Sequence, residues 1–496
     1  MTAGVLLLLL ATGSEPGPIS TATPAMTWSS WNYWESHVNE SALLATADAL
    51  VSSGLAALGY DTVSIDAGWA EPLPHQRDAR GVLVPDKAKW PRGMKAVGDA
   101  LHAKGLRFGL YGDLSNHSCG GPSFMGHEEL DMQTFADWGV DYLKVDFCGY
   151  KIGPSAGGLI SIDPGPQLAA WTKLGAALEK TGRKIWFSIC PHAPATEPMA
   201  WEPPHPGRSA PGGGGSPACP PSETCPVIMY APPPQWSRQQ RRSLSGANGN
   251  SILVEYGNTI DGWDGCDSCG NTSVLKHVGL TVGIDAGIAA TNLSYGGAGS
   301  FNDMDMLQLC NFGEAPTGHA TAGMTLSEYR MEYSAWSILA SNLILGNDVV
   351  TVREKHPECF ELMMNKAIVA VSQDPAALPP RLVYSVPPMA ANVSSAMITQ
   401  QALARPLSGG RLAVLLLNRG AAPARMSATW AQLGPPAGAS CSVYDVIAQR
   451  DTGTEAKDTF IATVASHDVS FVILKAAASV SPGSGAHAPK KILNFD

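Results

Sequence analysis

From Met26 onward the sequence alternates between short apolar runs typical of β-strands and longer amphipathic runs typical of helices. In the first helical pattern, 39–59, Asn39 is the predicted N-cap and Gly59 the predicted stop. The candidate strands, each followed by a connecting segment, are AMTWSSW, TVSIDAGW (62–69), LRFGLYGD (106–113), YLKVDF (142–147), KIWFSIC (184–190), SILVEYG (251–257), SFNDMDML (300–307) and NLILGNDVV (342–350). Repeated βα units of this number predict a parallel sheet, most simply closed as a (β/α)8 TIM barrel.

The composition supports a folded protein with a large core. Of 496 residues, 45% are hydrophobic and 15% are charged, which argues against general disorder. The net charge is −10 and no long basic run occurs, so we do not expect a nucleic-acid partner. No later stretch has eighteen uninterrupted apolar residues, so we expect no membrane span.

Two changes of composition divide the chain. The segment 191–236 is dense in Pro and Gly and predicts an irregular insertion between the fifth and sixth strands, where it could roof a site. After residue 380 the runs LAVLLLNRG, SATWAQLG, CSVYDVIAQ and VSFVILK, separated by turn residues, predict a smaller antiparallel β domain. We therefore expect a leader at 1–25, a barrel at 26–378, a β-sandwich at 379–477 and a flexible tail at 478–496.

Three features favour the secretory route. The leucine run from Val5 to Ala11 fits the apolar core of a signal peptide, although the basic n-region is missing and a misassigned start is the alternative. Glycosylation sequons occur at Asn39, Asn116, Asn271, Asn292 and Asn392. The ten cysteines form no zinc pattern, and Cys266 and Cys269 lack a second pair, so disulfides are the expected use. We expect a secreted protein or one in a vacuole- or lysosome-like lumen.

Acidic residues stand at the carboxyl ends of most candidate strands. In a TIM barrel these ends line the active site. The acids are Asp66, Asp113, Asp146, Glu255, Asp303 with Asp305, and Asp348. One such acid is commonly a helix N-cap, but so many indicate either a hard cation or acid-catalysed hydrolysis of a neutral polyol such as a sugar. Trp28, Trp31 and Trp69 near the same ends favour sugar, with core packing as the alternative for each.

Several ordered motifs resemble one enzyme family. They are MTWSSWN, VSSGLAALGYDTVSIDAGW, WPRGMKAVGDALHAKGLRFGLYGD, TFADWGVDYLKVDFC, FNDMDML and LGNDV. Together they are similar to glycoside hydrolase family 27, the retaining α-galactosidases and α-N-acetylgalactosaminidases, from about Met26 to Pro375. PLSGGRLAVLLLNRG resembles the family's C-terminal β-sandwich.

The resemblance implies roles for individual residues. Asp146, in YLKVD, matches the family's nucleophile, and Lys144 lies on the same face of that strand. We expect the sugar to contact Trp31, Asp66, Trp69, Asp113, Lys144 and Asn258. Cys148 matches a cysteine that bridges to the loop after the third strand, here Cys119. The implied partner is a carbohydrate with a terminal α-galactoside, without a cofactor or metal. The oligomeric state stays open, with a homodimer as one option.

The chain also departs from the family pattern. Asp66 is followed by Ala67 where the family usually has a second aspartate, so one sugar-recognition group is lost. Ser36 and Gly68 stand where many members have a disulfide between two loops. Pro191 stands where the family reads the substituent at C2, and no replacement is evident. A pyranose related to galactose therefore stays open as the substrate.

The sixth strand leaves the acid/base residue open. One ungapped alignment puts Asn258 at this position, and an amide cannot protonate a leaving group. Another alignment puts Glu255 there, the carboxylate within the strand, with a strand-end surface charge as its alternative role. Asp261 is a third candidate. Two functions follow: a retaining exo-α-glycosidase that uses Asp146 and Glu255, or a carbohydrate-binding homologue with impaired catalysis. A cation-dependent hydrolase is a distant third.

Overall fold

The structure is a computed structural model that describes residues 19, 22–114, 120–147, 150–152, 159–161, 164–191, 252–255, 280–292, 299–316, 323–390, 393 and 395–476. Eight parallel strands lie in the order β10-β1-β2-β3-β4-β7-β8-β9. They are β1 Met26–Ser29, β2 Thr62–Ser64, β3 Arg107–Asp113, β4 Tyr142–Phe147, β7 Trp186–Pro191, β8 Ile252–Glu255, β9 Ser300–Asp303 and β10 Leu343–Leu345. A parallel bridge between Leu307 and Leu345 joins the chain after β9 to β10 and closes the ring. The predicted TIM barrel is confirmed. A two-stranded ribbon, β5 Tyr150–Ile152 and β6 Leu159–Ser161, follows β4.

Helices follow most barrel strands, as the alternating pattern predicts. They are α1 Trp31–Trp34, α2 Glu40–Ser53, α3 Leu55–Leu58, α4 Gly93–His102, α5 Glu128–Asp137, α6 Pro164–Lys180, α7 Leu280–Asn292, α8 Leu326–Ile338, α9 Val352–Lys355, α10 Pro357–Met363 and α11 Lys366–Ser372. Short 3-10 turns occur at Glu35–His37, Ser395–Met397 and Ser408–Gly410.

The ends of α2 show how local chemistry sets the helix bounds. The Asn39 side chain accepts a hydrogen bond from the backbone N–H of Ala42 at 3.0 Å, so the predicted N-cap is confirmed. The helix ends earlier than expected, at Gly54, which adopts φ +89°. A second short helix, α3, then runs to Gly59, which has φ +127°. Both glycines supply backbone conformations that side-chain-bearing residues rarely adopt.

A second domain of eight antiparallel strands follows the barrel. They are β11 Arg381–Val386, β12 Gln400–Leu407, β13 Arg411–Asn418, β14 Ala424–Thr429, β15 Ser440–Asp445, β16 Arg450–Lys457, β17 Thr459–Val464 and β18 Asp468–Ala476. Alternation along β13 decides the packing: Val414 and Leu416 join Met426 and Phe460 inside the sandwich, while Leu415 packs toward the barrel. The predicted sandwich is confirmed, but half of SATWAQLG forms a helix, α12 Trp430–Leu433, behind a Thr429 capping box.

Buried charged and polar side chains of the sandwich form hydrogen bonds and an ion pair with the barrel. Arg419 of the sandwich pairs with Asp285 of α7 at 2.9 Å, and Gln401 donates to the same carboxylate at 2.7 Å. Arg405 donates to backbone carbonyls of the barrel, including that of Val371 at 2.7 Å. Burial lowers the pKa of Arg405 to about 10. The domain boundaries predicted at 25, 378 and 477 stay predictions.

Two absences are observed within the described ranges. No described helix is both long and apolar enough to cross a bilayer. The described side chains also contain no cluster of three His, Cys, Asp or Glu residues that could hold a metal ion.

Candidate active site

The carboxyl ends of two pairs of adjacent strands bring acidic residues to one level of the barrel. Asp113 of β3 pairs directly with Asp146 of β4, and Glu255 of β8 pairs directly with Asp303 of β9. Strand β7 lies between these pairs, with Cys190 opposite Asp146, and its register continues without a shift into β8. Asp146 and Glu255 therefore stand at the same level, two strands apart.

Lys144 occupies the level below Asp146 and pairs across the sheet with Tyr111. Its side chain is buried, and Nζ lies 3.5 Å from Oδ2 of Asp66 at the end of β2. The other Asp66 oxygen, Oδ1, accepts a hydrogen bond from the backbone N–H of Ala67 at 2.8 Å. Lys144 and Asp66, both predicted sugar contacts, thus form a buried ion pair.

Burial and charge act in opposite directions on the acids around Lys144. Burial raises the pKa of Asp66 above its usual range, Lys144 opposes that rise, and the charge of Asp146 adds to it. Burial likewise raises the pKa of Asp303, against hydrogen bonds and the Lys144 charge that lower it. The charge of one lysine therefore opposes the rise in pKa of two buried carboxyl groups, Asp66 and Asp303.

Tyr111 holds one oxygen of Asp146. Its hydroxyl donates a hydrogen bond of 2.7 Å to Asp146 Oδ2. Burial first, and then the negative charge of Asp146, raises the pKa of Tyr111 well above its usual value, so the phenol stays protonated as the donor. The second oxygen, Oδ1, accepts no hydrogen bond from the described residues. Oδ2 is therefore anchored, whereas Oδ1 is buried without a hydrogen-bond donor among the described residues.

Sequence reasoning missed Tyr111, although a signal was present. Residues two apart on a strand share a face, so Tyr111 lies on the same face as Asp113, which the strand-end pattern had identified. Register then places it beside Lys144. The strand-end pattern identifies the last residue of each strand, and Tyr111 lies two residues before the end of β3.

A small cavity lies beside Lys144 in the barrel. It has a volume of about 10 Å³ and is lined by polar groups that include Thr27, Ser29, Lys144, Asp303 and Asp305. That volume suits about one water and excludes a sugar. This cavity is therefore too small to be the sugar site.

Asp303 and the loop after it are held by several contacts. Asp303 Oδ2 accepts from Asn342 at 2.9 Å, and Oδ1 accepts from the backbone N–H of Asp305 at the same distance. Cys310 and Cys359 form a disulfide with a Cα–Cα distance of 5.8 Å, which ties this loop to α10. The sequence left this pairing open.

The tryptophans predicted near the site differ in position. Trp69 is fully buried, its Nε1 donates to the Tyr111 carbonyl at 2.9 Å, and its ring packs edge-on against Phe135 and Trp138. The predicted sugar contact of Trp69 is therefore corrected: neither face of its ring is open to a ligand. Trp28 is also a core residue, and its Nε1 donates a hydrogen bond to the Asn347 carbonyl.

The other predicted contacts stay predictions. Trp31 is half-buried at the start of α1, directly after β1. Asp113 is fully buried in the wall beside Asp146. Asp348 bonds with Tyr33 at 3.3 Å and Thr351 at 2.6 Å, at the rim after β10. Outside the described residues lie Asn258, Asp261, Cys119, Cys148 and residues 192–236 of the predicted insertion, and the Glu255 side chain is likewise not described.

Comparisons with known proteins agree along nearly the whole chain. The family model described as "Alpha galactosidase A" matches residues 23–200 and 263–374, and the "Alpha galactosidase C-terminal beta sandwich domain" matches 399–474. Alpha-galactosidase 3 of Arabidopsis thaliana is 32% identical over 91% of this chain and 82% of its own length. Alpha-galactosidase of Cyamopsis tetragonoloba is 31% identical over 86% of this chain and 79% of its own length. The structure of alpha-galactosidase I from Mortierella vinacea superposes with a TM-score of 0.70 and 27% identity, covering 93% and 99% of the two chains.

Proposed function

This chain belongs to the α-galactosidase family, glycoside hydrolase family 27, and from that premise we propose that it removes terminal α-linked galactose with Asp146 as nucleophile and Glu255 as acid/base. It is a retaining α-galactosidase-like glycoside hydrolase. Similarity to α-galactosidases over most of the chain favours this activity over a role limited to carbohydrate binding.

The environment of Asp146 is the observation that carries the proposal. A nucleophilic carboxylate must be ionised, fixed in place and able to present one oxygen to the anomeric carbon. The Tyr111 hydroxyl fixes Oδ2, while Oδ1 has no hydrogen-bond donor in the described part of the chain. Lys144, two residues before Asp146 on β4, places a positive charge 3.5 Å from Asp66.

Backbone register supports Glu255 as the second carboxylate. Retaining enzymes hold their two carboxyl groups about 5–5.5 Å apart. Two strand spacings of about 4.8 Å separate the backbones of Asp146 and Glu255 at the same level, and barrel curvature shortens that span. One aspartate and one longer glutamate side chain can close such a gap.

The proposed reaction has two steps. Asp146 Oδ1 attacks the anomeric carbon, the bond to the leaving oxygen breaks, and Glu255 gives that oxygen its proton. Glu255, now ionised, takes a proton from water, and the water oxygen attacks the same carbon and releases Asp146. Two inversions retain the configuration at the anomeric carbon.

Trapping of the glycosyl-enzyme tests the nucleophile. A 2-deoxy-2-fluoro galactosyl donor with an activated leaving group slows both steps, the second more, so the covalent adduct should accumulate. We expect the mass of one sugar on the peptide that carries Asp146, and none on Asp146→Asn. An adduct on another carboxylate would reject this assignment.

Leaving-group dependence tests the acid/base. Glu255→Gln should lose activity by about 10²-fold or more on an alkyl galactoside, whereas a 4-nitrophenyl galactoside, which needs little protonation, should lose far less. Asp261→Asn is the matched control and should behave like wild type on both. Equal losses on the two substrates would exclude an acid role for Glu255.

Comparison of kcat/KM among glycosides tests which sugar the chain prefers. Ala67 offers no carboxylate beside Asp66, so fewer groups read the galactose hydroxyls. We expect kcat/KM to be highest for aryl α-galactoside, with measurable turnover of a pyranoside that lacks the C6 hydroxymethyl group. Higher activity on α-N-acetylgalactosaminide would reassign the substrate.

We also propose that the chain acts in an oxidising compartment, either secreted or lumenal. The buried Cys310–Cys359 disulfide supports this location because such bonds persist outside the reducing cytosol. When the chain is expressed in a secretory cell, we expect an exported, glycosylated product. Its mass should fall on treatment with an endoglycosidase. A cytosolic, unglycosylated product would count against export.

A further inference from the structure

The loops after β1 and β2 meet where Gly68 touches Ser36. Gly68 has φ +90°, and a Cβ built on it would lie 2.6 Å from Cβ of Ser36 and 2.8 Å from its carbonyl oxygen. A disulfide holds two Cβ atoms about 3.8 Å apart. The loops thus lie closer than a disulfide would hold them, and only glycine fits at position 68.

Lys89 joins the two loops at this contact. Its Nζ donates hydrogen bonds to the carbonyl of Ser36 at 2.7 Å and to the carbonyl of Gly68 at 2.9 Å. Hydrogen bonds from a charged donor are stronger than those between neutral groups. One ammonium group therefore cross-links two loops that have no covalent bond at Ser36 and Gly68.

The segment that carries Lys89 is itself fixed to both loops. The backbone N–H of Asp86 donates to the carbonyl of Trp69 at 2.9 Å, and the Asp86 carboxylate lies 3.9 Å from Lys89 Nζ. The Lys89 carbonyl accepts from the N–H of Glu40 at 3.0 Å, at the start of α2. The backbone of the Lys89 segment is therefore held in place by its own hydrogen bonds.

The joined loops carry the groups expected to hold the sugar. Trp31 lies in the first loop and Asp66 begins the second. At the base of the loops, the Asp66 N–H donates to Oγ of Ser30 at 3.0 Å. Farther from the strands, Lys89 makes the second connection, so the two connections together set the position of Asp66 relative to Trp31.

We propose that Lys89 is a positioning residue that presets the sugar-binding loops through its two carbonyl contacts. It touches no reacting atom. This inference rests on the proposed function, because it takes Asp66 and Trp31 as sugar contacts. Groups that hold the sugar equally in the ground and transition states affect KM more than kcat.

The test substitutes Lys89→Met, which keeps the aliphatic stem and removes both donated hydrogen bonds. The matched control is Lys87→Met at an exposed lysine on the same segment. With an aryl α-galactoside we expect Lys89→Met to raise KM about tenfold while kcat falls less than about threefold. Lys87→Met should change neither. Lys89→Arg, which retains charge and donors, should recover most of the loss.

Binding of free galactose, measured by calorimetry, separates this inference from the proposed function. A wild-type chain that binds galactose without turnover would reject the proposed hydrolysis, yet a tenfold higher Kd for Lys89→Met would still support the positioning role. If Lys89→Met does not fold, Lys89→Gln replaces it, with an intermediate KM or Kd expected. Equal KM and Kd in wild type and the Lys89 variants, with only a lower Tm, would overturn the inference.

Discussion

Replacing Lys144 with methionine should destabilise the barrel in a strongly pH-dependent way. Lys144 Nζ and Asp66 Oδ2 are 3.5 Å apart, and both residues are buried. At an effective dielectric constant of about 20, that distance corresponds to about 5 kcal/mol of Coulomb attraction. Breaking a buried pair leaves one uncompensated charge and costs about 3–5 kcal/mol. We expect a loss of that size in the free energy of unfolding at pH 7.5.

The sign of the pH dependence follows from Asp66. Burial raises the pKa of this carboxyl in the folded state, so the folded state binds the proton more tightly than the unfolded state does. Stability is therefore higher in acid and is lost as pH rises from about 4 through the folded pKa. Without Lys144, which lowers that pKa, the window extends toward neutral pH. The deficit of Lys144→Met should shrink as pH falls toward 4, because a larger fraction of Asp66 is protonated there.

Urea unfolding of four proteins measures this effect: wild type, Lys144→Met, Asp66→Asn and the double variant, each at pH 4 and pH 7.5. At pH 7.5 the double variant should lose at least about 1.5 kcal/mol less than the sum of the single losses, because the amide removes the stranded charge. Asp303 also faces Lys144, so part of the loss should persist in the double variant. A deficit that is equal at both pH values, with additive single losses, would refute the reasoning.

Three further results are expected. Asp146→Asn should lower kcat on an aryl α-galactoside at least about 10⁴-fold and leave Tm nearly unchanged; a loss below tenfold would exclude it as nucleophile. Cys310→Ser should lower the free energy of unfolding by about 4 kcal/mol, because the bond to Cys359 closes a loop with a sequence separation of 49; an unchanged Tm in the variant would refute this. Burial alone would raise the pKa of Asp141, but hydrogen bonds, first among them that from His102 at 2.7 Å, hold it below its usual range. Its contribution is thus present above about pH 4 and lost as pH falls, so Asp141→Asn should cost about 2 kcal/mol at pH 6.5 and much less at pH 2.5 by urea unfolding.

The pattern predictions succeeded where the physical signal is local. All eight barrel strands appear in order because each is a short apolar run between turn or helix signals. The β-sandwich was read less completely. Strand β16, Arg450–Lys457, contains almost no apolar residue and is exposed along its length, so no alternation marks it. The run SATWAQLG predicts a strand through Trp430, but the Thr429 capping box starts a helix there.

The site shows the same division. The shared face of Lys144 and Asp146 follows from the two-residue repeat of one strand. The buried position of Trp69 does not, because it depends on Phe135 and Trp138 of a segment far along the chain. A tryptophan beside a strand end looks the same in sequence whether it faces a ligand or the core.

By itself the sequence determined the order of the elements, the cap of α2 and the face on which Asp146 stands, because periodicity and capping involve residues only a few positions apart. The tertiary structure alone decided that Tyr111 anchors Asp146, that Lys144 pairs with Asp66, that Lys89 joins two loops and that Cys310 bonds to Cys359. Each of these contacts forms between segments that are apart in the sequence and that folding of the barrel brings together. Local patterns carry no information on which distant donor meets which acceptor.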